Sequence, residues 1–303
     1  MADSANLCAR PCLKTTSNSR LLTEQAATSA PRLSASQYAK NNSPQRKHSN
    51  LVLAFSQAAF HVELNDTTRI LDVGCGTGDF TRDFLLPCCL PCAKIVGVDV
   101  SPEMIEHARR HSAHEKIEYE LLNIGNDVTE FLSHYGPFDR VYSFYCLQWL
   151  EDQGAALKNI ASLLSPGGQC LLVIPASQQP AAVWSRLAKM DRWKKYSEIL
   201  TKHVSKPHTM KTKEEQLAYM SALLHEAQLS TSIFVLPRLV TFDGWSEQDV
   251  IATHMGIVPI NLVVTEQEKN QLLEDVTALV KEIHGPEIDQ SLFRNYIIMA
   301  TKC

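Results

Sequence analysis

The sequence predicts an open, doubly wound α/β fold, and three observations predict it. Five short apolar runs that read as buried strands alternate with helical patterns. Three glycines at alternate positions, Gly74, Gly76 and Gly78, follow the first run directly. The first two runs each carry an acid near their end, Asp72 and Asp99. Strands alternating with helices pair in parallel through right-handed crossovers. Ligands of such sheets bind beyond the C-terminal strand ends, where the glycines and acids fall.

Taken in order, residues 1–36 are rich in Ser, Thr, Ala and basic side chains and lack periodicity. They are expected to form a disordered extension. Their composition is also compatible with an organelle transit peptide. Order is expected from Tyr38, in one domain of residues 37–303. A helical pattern over Leu51, Leu53, Ala54, Phe55, Ala58 and Phe60 follows. Asn41, Asn42 and Gln45 are uncharged amides just ahead of it, and amides at a helix start commonly cap it.

Ile70, Leu71 and Val73 make the first strand, and a helix is expected from about Asp79 to Leu86, ending near Pro87. Glycines at the turn let the chain reverse sharply and let a ligand approach the backbone. NAD, FAD and S-adenosylmethionine sites all use such a turn. The acid narrows the choice. Asp72 stands where a cationic amine would meet it, and no Lys-Ser/Thr follows the glycines as in a phosphate loop. Asp72 and Asp79 would repel a pyrophosphate. Cys88, Cys89 and Cys92 lack a second Cys/His cluster at zinc spacing, so they are expected in a Pro-bounded surface loop, with no metal.

Residues 94–99 form the second strand. Asp99 closes it, where a carboxylate accepts two hydrogen bonds from a ribose diol. Ser101 and Pro102 then open a helix. Residues 117–122 form the third strand, with Asn123 and Ile124 at its end. Residues 138–144 form the fourth and lead into Tyr145, Cys146, Leu147, Gln148 and Trp149 beside the expected cleft. A helix from about Gln153 to Leu164 ends in a Ser-Pro-Gly-Gly turn closing at Gly168, and residues 169–175 form the fifth strand. From Ala176 to about Thr231 the pattern is helical. Strand-like runs at 232–242 and 293–301 supply a late, hairpin-like pair, separated by helical patterns that include residues 266–283.

The chain has 303 residues, 45% apolar and 20% charged, and a formal net charge of −4. That length accommodates one large domain with a cap. The mild acidity argues against a nucleic-acid partner. Nine cysteines at irregular spacing, no apolar leader and no run of membrane-spanning length predict a cytoplasmic protein with reduced thiols.

The turn with Asp72 resembles motif I of the class I S-adenosylmethionine-dependent methyltransferases. Ser143-Phe-Tyr-Cys-Leu-Gln-Trp149 closely resembles the Ser-Phe-Tyr-Cys-Leu-His-Trp stretch of the juvenile hormone acid O-methyltransferases. The segment from Tyr38 through Asn42-Ser-Pro-Gln45, and the region from Lys158 to Gly168, fit the same family. The resemblance implies a seven-stranded Rossmann-like sheet with a helical cap from residues 176–230 and 243–290. It implies S-adenosyl-L-methionine as cofactor. Asp72 and Gly74 would meet its methionine part, Gly76 and Gly78 allow backbone approach, Asp99 and Val100 hold the ribose, and Asn123 and Ile124 the adenine, with Ser143 nearby. Asn123 replaces an Asp common in the class. Gln45 and Trp149 would hold the carboxylate of an apolar acid such as juvenile hormone acid or farnesoic acid. Gln148 replaces the family's His and would also face the substrate.

Two neutral donors orient a carboxylate yet leave its oxygen nucleophilic. The acid is ionised near neutral pH, so no general base is needed. Trp184, Trp193, Phe234 and Trp245 are expected to offer apolar surface to an isoprenoid or fatty chain, or to form the cap's own core. Three other readings stand beside this one: a methyltransferase for another small molecule, a protein or RNA methyltransferase, and a non-catalytic S-adenosylmethionine-binding protein.

Overall fold

The computed structural model describes residues 34–177, 179–235, 246–285 and 294–303. One sheet of seven strands runs through it: β1 (Arg69–Val73), β2 (Lys94–Asp99), β3 (Ile117–Leu121), β4 (Phe138–Phe144), β5 (Leu164–Ser177), β6 (Leu229–Val235) and β7 (Arg294–Lys302). Their order is β3-β2-β1-β4-β5-β7-β6. β1 pairs in parallel with both β2 and β4, while β7 runs antiparallel to β5 and β6. The chain therefore leaves β1 toward β2 and β3 on one side and returns to β4 on the other. This reversal opens a crevice at the C-terminal end of β1.

Side chains alternate across the sheet, and both faces are covered. Leu71 and Val73 enter one core, with Leu157 and Ile160 of the helix Gln153–Leu163 and Met220 and Leu224 of the helix Lys213–Glu226. Ile70 points to the other core, with Leu53 of the helix Ser43–Ser56 and Ile105 of the helix Pro102–His111. Ser101 caps the latter helix by accepting the Met104 N–H, and Pro102 occupies its first turn. A third core lies off the sheet. It joins the helices Gln179–Leu187, Glu247–Ile257 and Glu266–His284, and Trp149 packs against it.

Several sequence expectations are corrected. The first helix, Ala35–Asn41, begins inside the expected disordered extension. Ala35 is buried and donates its N–H to Glu103 Oε1 at 2.9 Å, which docks the helix on its neighbour. Residues 1–33 lie outside the described residues. The Ser-Pro-Gly-Gly segment is a bulge at the start of β5 rather than a turn before it. Leu164 already pairs with Phe138, and the register then shifts before Gln169 meets Arg140. β6 starts at Leu229, earlier than expected, because buried Leu229 is already in the ladder opposite Lys302. β6 and β7 pair antiparallel, with two helices between them in sequence among the described residues. Cys89 and Cys92 are fully buried, not on a surface loop. Among the described residues, no group of three or more His, Cys, Asp or Glu gathers to hold a metal, and no helix is long and apolar enough to cross a membrane.

The glycine turn is anchored from behind by Tyr119 on β3. Its hydroxyl lies 3.0 Å from the carbonyls of both Gly78 and Ser112. Gly78 has φ +73°, and a Cβ there would lie 2.6 Å from that hydroxyl. Gly78→Ala therefore combines backbone strain with a collision, and is expected to destabilise the protein by roughly 1–3 kcal/mol. Urea denaturation measures this. Adding Tyr119→Phe to Gly78→Ala is expected to return part of the loss.

Candidate functional site

The site is built where β1 and β2 end together. The Val98 carbonyl accepts the N–H of Gly74 at 2.7 Å and of Cys75 at 3.0 Å. The Gly76 N–H then donates to Asp99 Oδ2 at 3.0 Å. Gly74 and Gly76 both have positive φ, +80° and +55°. A Cβ on Gly74 would lie 2.4 Å from Cys146 Cβ, so only glycine fits between β1 and the loop after β4. A Cβ on Gly76 would meet only Tyr38, at 3.4 Å, leaving its backbone open as a cradle.

Two adjoining cavities meet over this turn. The first, of about 110 Å³, is lined by Gly74, Gly76, Asp99, Val100, Asn123, Ile124 and Trp149. The second, of about 40 Å³, is lined by Gln45, Asp72 and Gly74. Gly74, Tyr38 and Tyr145 line both. The sequence-predicted residues are thus gathered into one crevice, with three exceptions. Gly78 lines neither cavity and serves the contact with Tyr119 instead. Ser143 is buried and donates to the Val73 carbonyl at 2.9 Å, tying β4 to β1. Gln148 is buried and donates to the Tyr145 carbonyl at 2.6 Å, so its amide faces the loop's own backbone rather than the cleft.

Sequence reasoning passed over Arg46 and Ser49, and gave Tyr38 and Asn42 no site role. Asn42, Arg46 and Ser49 line the second cavity, and Tyr38 and Tyr145, the latter expected beside the cleft, its junction with the first. A signal for most of them was present. Tyr38, Asn42, Gln45, Arg46 and Ser49 recur at i, i+4, i+7, i+8 and i+11, which is one helical face. Arg46 pairs with Asp79 at the head of the glycine-turn helix. Leu122 and Met104 add apolar walls to the first cavity.

The hydrogen bonding leaves particular groups open. Gln45 Oε1 accepts the Tyr38 phenol at 3.2 Å, so its NH₂ has no protein acceptor among the described residues. The Trp149 indole stacks on Trp184, with centroids 5.5 Å apart, and meets the edge of His203. Trp184 and Trp193 are fully buried in the third core, and Trp193 Nε1 donates to Asp275 at 2.8 Å. Both belong to the helices' own packing, and only Trp149 extends that packing into the cavity. The side chain of Phe234 and all of Trp245 lie outside the described residues. Asn123 Oδ1 accepts the Gly125 N–H at 3.0 Å, which turns the carboxamide at the edge of the first cavity.

Two carboxyls, Asp72 buried and Asp99 half-buried, dominate the electrostatics. Asp72 is pushed up to about 7, first by burial, against the 2.6 Å hydrogen bond from Thr81 and with added repulsion from Asp99. Asp99 is also raised by burial, opposed by backbone N–H groups of Ser101, Gly76 and Val100. A buried carboxyl with one neutral partner suits a cationic ligand group. Each oxygen of Asp99 already holds one backbone N–H and retains a lone pair, which suits a vicinal diol. Glycine cradle, buried acid and diol acceptor together fit S-adenosylmethionine. The Tyr145 backbone sits at φ +53°, a strained conformation for an aromatic residue costing roughly 1–3 kcal/mol.

Because the folded pKa of Asp72 lies above its unfolded value, stability is lost as pH rises from about 4 toward 7 and the loss is complete above that. Asp72→Asn removes this cost. The variant is expected to exceed the wild-type protein in stability at pH 8, by an amount on the order of 4 kcal/mol if the whole shift is expressed. The gap should close toward pH 4. Urea midpoints across that range are the measurement.

The model of the family described as "Methyltransferase domain" matches residues 70–168, from β1 through the β5 bulge. The juvenile hormone acid O-methyltransferase of Drosophila melanogaster is 31% identical over 208 residues, 66% of this chain and 69% of that protein. The Bombyx mori protein of the same name is 27% identical over 218 residues, 71% of this chain and 74% of its own. Among solved structures, the YcgJ protein of Bacillus subtilis superposes with a TM-score of 0.51 at 16% identity. That match covers 83% of this chain and 98% of YcgJ, and it shows the shared fold. The chain belongs to the class I S-adenosylmethionine-dependent methyltransferases, as a relative of the juvenile hormone acid O-methyltransferases.

Proposed function

We propose that the protein methylates the carboxylate of an apolar isoprenoid or fatty acid. The observation that carries this reading is the donor set at the crevice. Gln45 presents an unpaired NH₂ in one cavity, and Trp149 forms the indole wall of the other, backed by an apolar helical core. The named relatives are juvenile hormone acid O-methyltransferases, and the loop that carries Trp149 resembles a stretch of that family.

S-adenosylmethionine supplies a methyl group on a cationic sulfur, an electrophile that a carboxylate oxygen can take directly. Asp72 would hold the cofactor's amino group, and Gly74 and Gly76 admit its backbone-hugging part. Asp99 would accept the ribose hydroxyls, with Val100, Asn123 and Ile124 against the base. Arg46, lining the second cavity, supplies a cation for the cofactor's carboxylate. Gln45 and Trp149 would orient the acid with neutral donors, which do not damp its oxygen as a paired Arg would. No proton has to move, so the residues have only to align the oxygen and exclude water. The helices over residues 179–202 and 247–284 would act as the cap that does so. We place the reaction in the cytoplasm.

The test is a methyl-transfer assay on a panel of free isoprenoid and fatty acids. Gln45→Ala and Trp149→Phe are each expected to lower kcat/KM by about tenfold or more, the worth of one well-placed hydrogen bond. Full turnover in both variants would remove the assigned roles. Calorimetry with S-adenosylmethionine is expected to show binding that Asp99→Ala abolishes; unchanged binding would sink the cofactor assignment at Asp99. Binding should also weaken as pH falls below 7. Protonated Asp72 is neutral and cannot pair with the amine until its proton is expelled. Asp72→Asn should bind weakly and lose that slope.

A further inference from the structure

Tyr145 is the one non-glycine residue of the crevice whose backbone lies in the left-handed region. It also lines both cavities. Strain of this kind persists only where surrounding contacts over-determine it. Three do so. The Tyr145 N–H donates to the Val173 carbonyl of β5 at 2.9 Å. Its carbonyl accepts Gln148 Nε2 at 2.6 Å. Its hydroxyl is 2.7 Å from Nδ1 of His48, whose ring also meets the Tyr145 ring edge-on. His48 sits on the helix Ser43–Ser56, the same helix that brings Gln45 and Arg46 to the second cavity. Burial pushes the His48 imidazole down to about 4, so it is neutral and can accept the phenol proton.

We propose that His48 and Gln148 form a clamp that fixes Tyr145 at the junction of the two cavities, and that Tyr145 there sets the alignment of acceptor against cofactor. His48 and Gln148 are positioning residues; they act through Tyr145 and line neither cavity. The clamp explains why a buried amide at position 148 is spent on a backbone carbonyl. It also links the N-terminal helix to the loop after β4, so the two walls that carry Gln45 and Trp149 are held in one register. A ring displaced by about 1 Å misaligns the reacting atoms, which is worth up to about a hundredfold in rate without loss of binding.

The experiment uses the full-length protein and the acid methylated best by the wild type, so its activity arm rests on the carboxylate reading. Tyr145→Phe, His48→Ala and Gln148→Met (similar in shape, with no donor) are each expected to lower kcat at least about tenfold, with the S-adenosylmethionine Kd changed less than about threefold. His48→Asn, which can place an acceptor near Nδ1, should recover part of kcat. Tyr145→Phe with His48→Ala should be no slower than Tyr145→Phe alone, because both break one bond. A second arm needs no turnover. The ¹⁵N resonances of the His48 imidazole should shift when S-adenosylhomocysteine is added, and Tyr145→Phe should abolish that shift. Additive losses, unchanged kcat, or a lowered melting temperature without a kcat effect would overturn the clamp. If the wild type methylates no acid on the panel, the carboxylate reading fails. The imidazole shift then decides the clamp by itself, and its absence ends it.

Discussion

A single carbonyl, that of Val98, holds the site together. It accepts two successive N–H groups, from Gly74 and Cys75, and so lashes the exit of β1 to the end of β2. This geometry requires Gly74 at φ +80°, since a side chain there would strike Cys146. With the turn fixed, the Gly76 N–H falls on Asp99, and Asp99 in turn caps the Ser101 N–H ahead of the next helix. Position of the acid, opening of the cradle and start of the helix all follow from one bifurcated acceptor. The parallel pairing of β1 with β2, from Arg69 opposite Lys94 to Val73 opposite Val98, sets that carbonyl in place.

The same compactness buries Asp72 within electrostatic reach of half-buried Asp99, which opposes folding on its own. Asp72 is only partly satisfied, by Thr81. The site therefore has its charge imbalance built in, and a cationic ligand relieves it. Binding and folding are coupled through this residue: the ligand removes a destabilising term as well as adding contacts. An anionic nucleotide tail would worsen the repulsion. That is the physical content of the distinction between this turn and a pyrophosphate-binding one.

The sheet was largely legible because parallel strands buried on both faces read as unbroken apolar runs, as in residues 95–98. The glycines and the two acids were legible because backbone conformation and burial demand those residue types. What escaped depended on tertiary contact. Gly78 has the same spacing as its neighbours but faces Tyr119, a partner 41 positions away. Ser143 and Gln148 sit in the most recognisable motif of the chain, yet both point into its own scaffold. Proximity to a cleft in sequence does not say which way a side chain turns. The Ser-Pro-Gly-Gly segment looked like a turn because its composition is that of a turn, and the sheet absorbs it as a bulge. The second cavity's helical face was written at 3.6-residue spacing in polar residues. Periodicity is sought in apolar ones, so it passed unnoticed.

Cofactor and acceptor sites differ in how far apart their parts lie along the chain. The cofactor cradle uses β1, β2 and β3 ends within about fifty residues, all fixed by one sheet. Gln45 and Trp149 belong to a helix before the sheet and a loop in its middle, and no strand pairing relates them. Something else must hold those two walls in register, or a ligand would meet a variable aperture. The contact that crosses between the walls is the Tyr145 phenol on the His48 ring. A strained residue at that crossing is the expected place to fix a distance, because a side chain held off its relaxed backbone has few alternative positions to occupy. On the proposed reading, specificity for the acceptor is then set at the helix-to-loop junction, apart from the Val98 lashing that shapes the cradle.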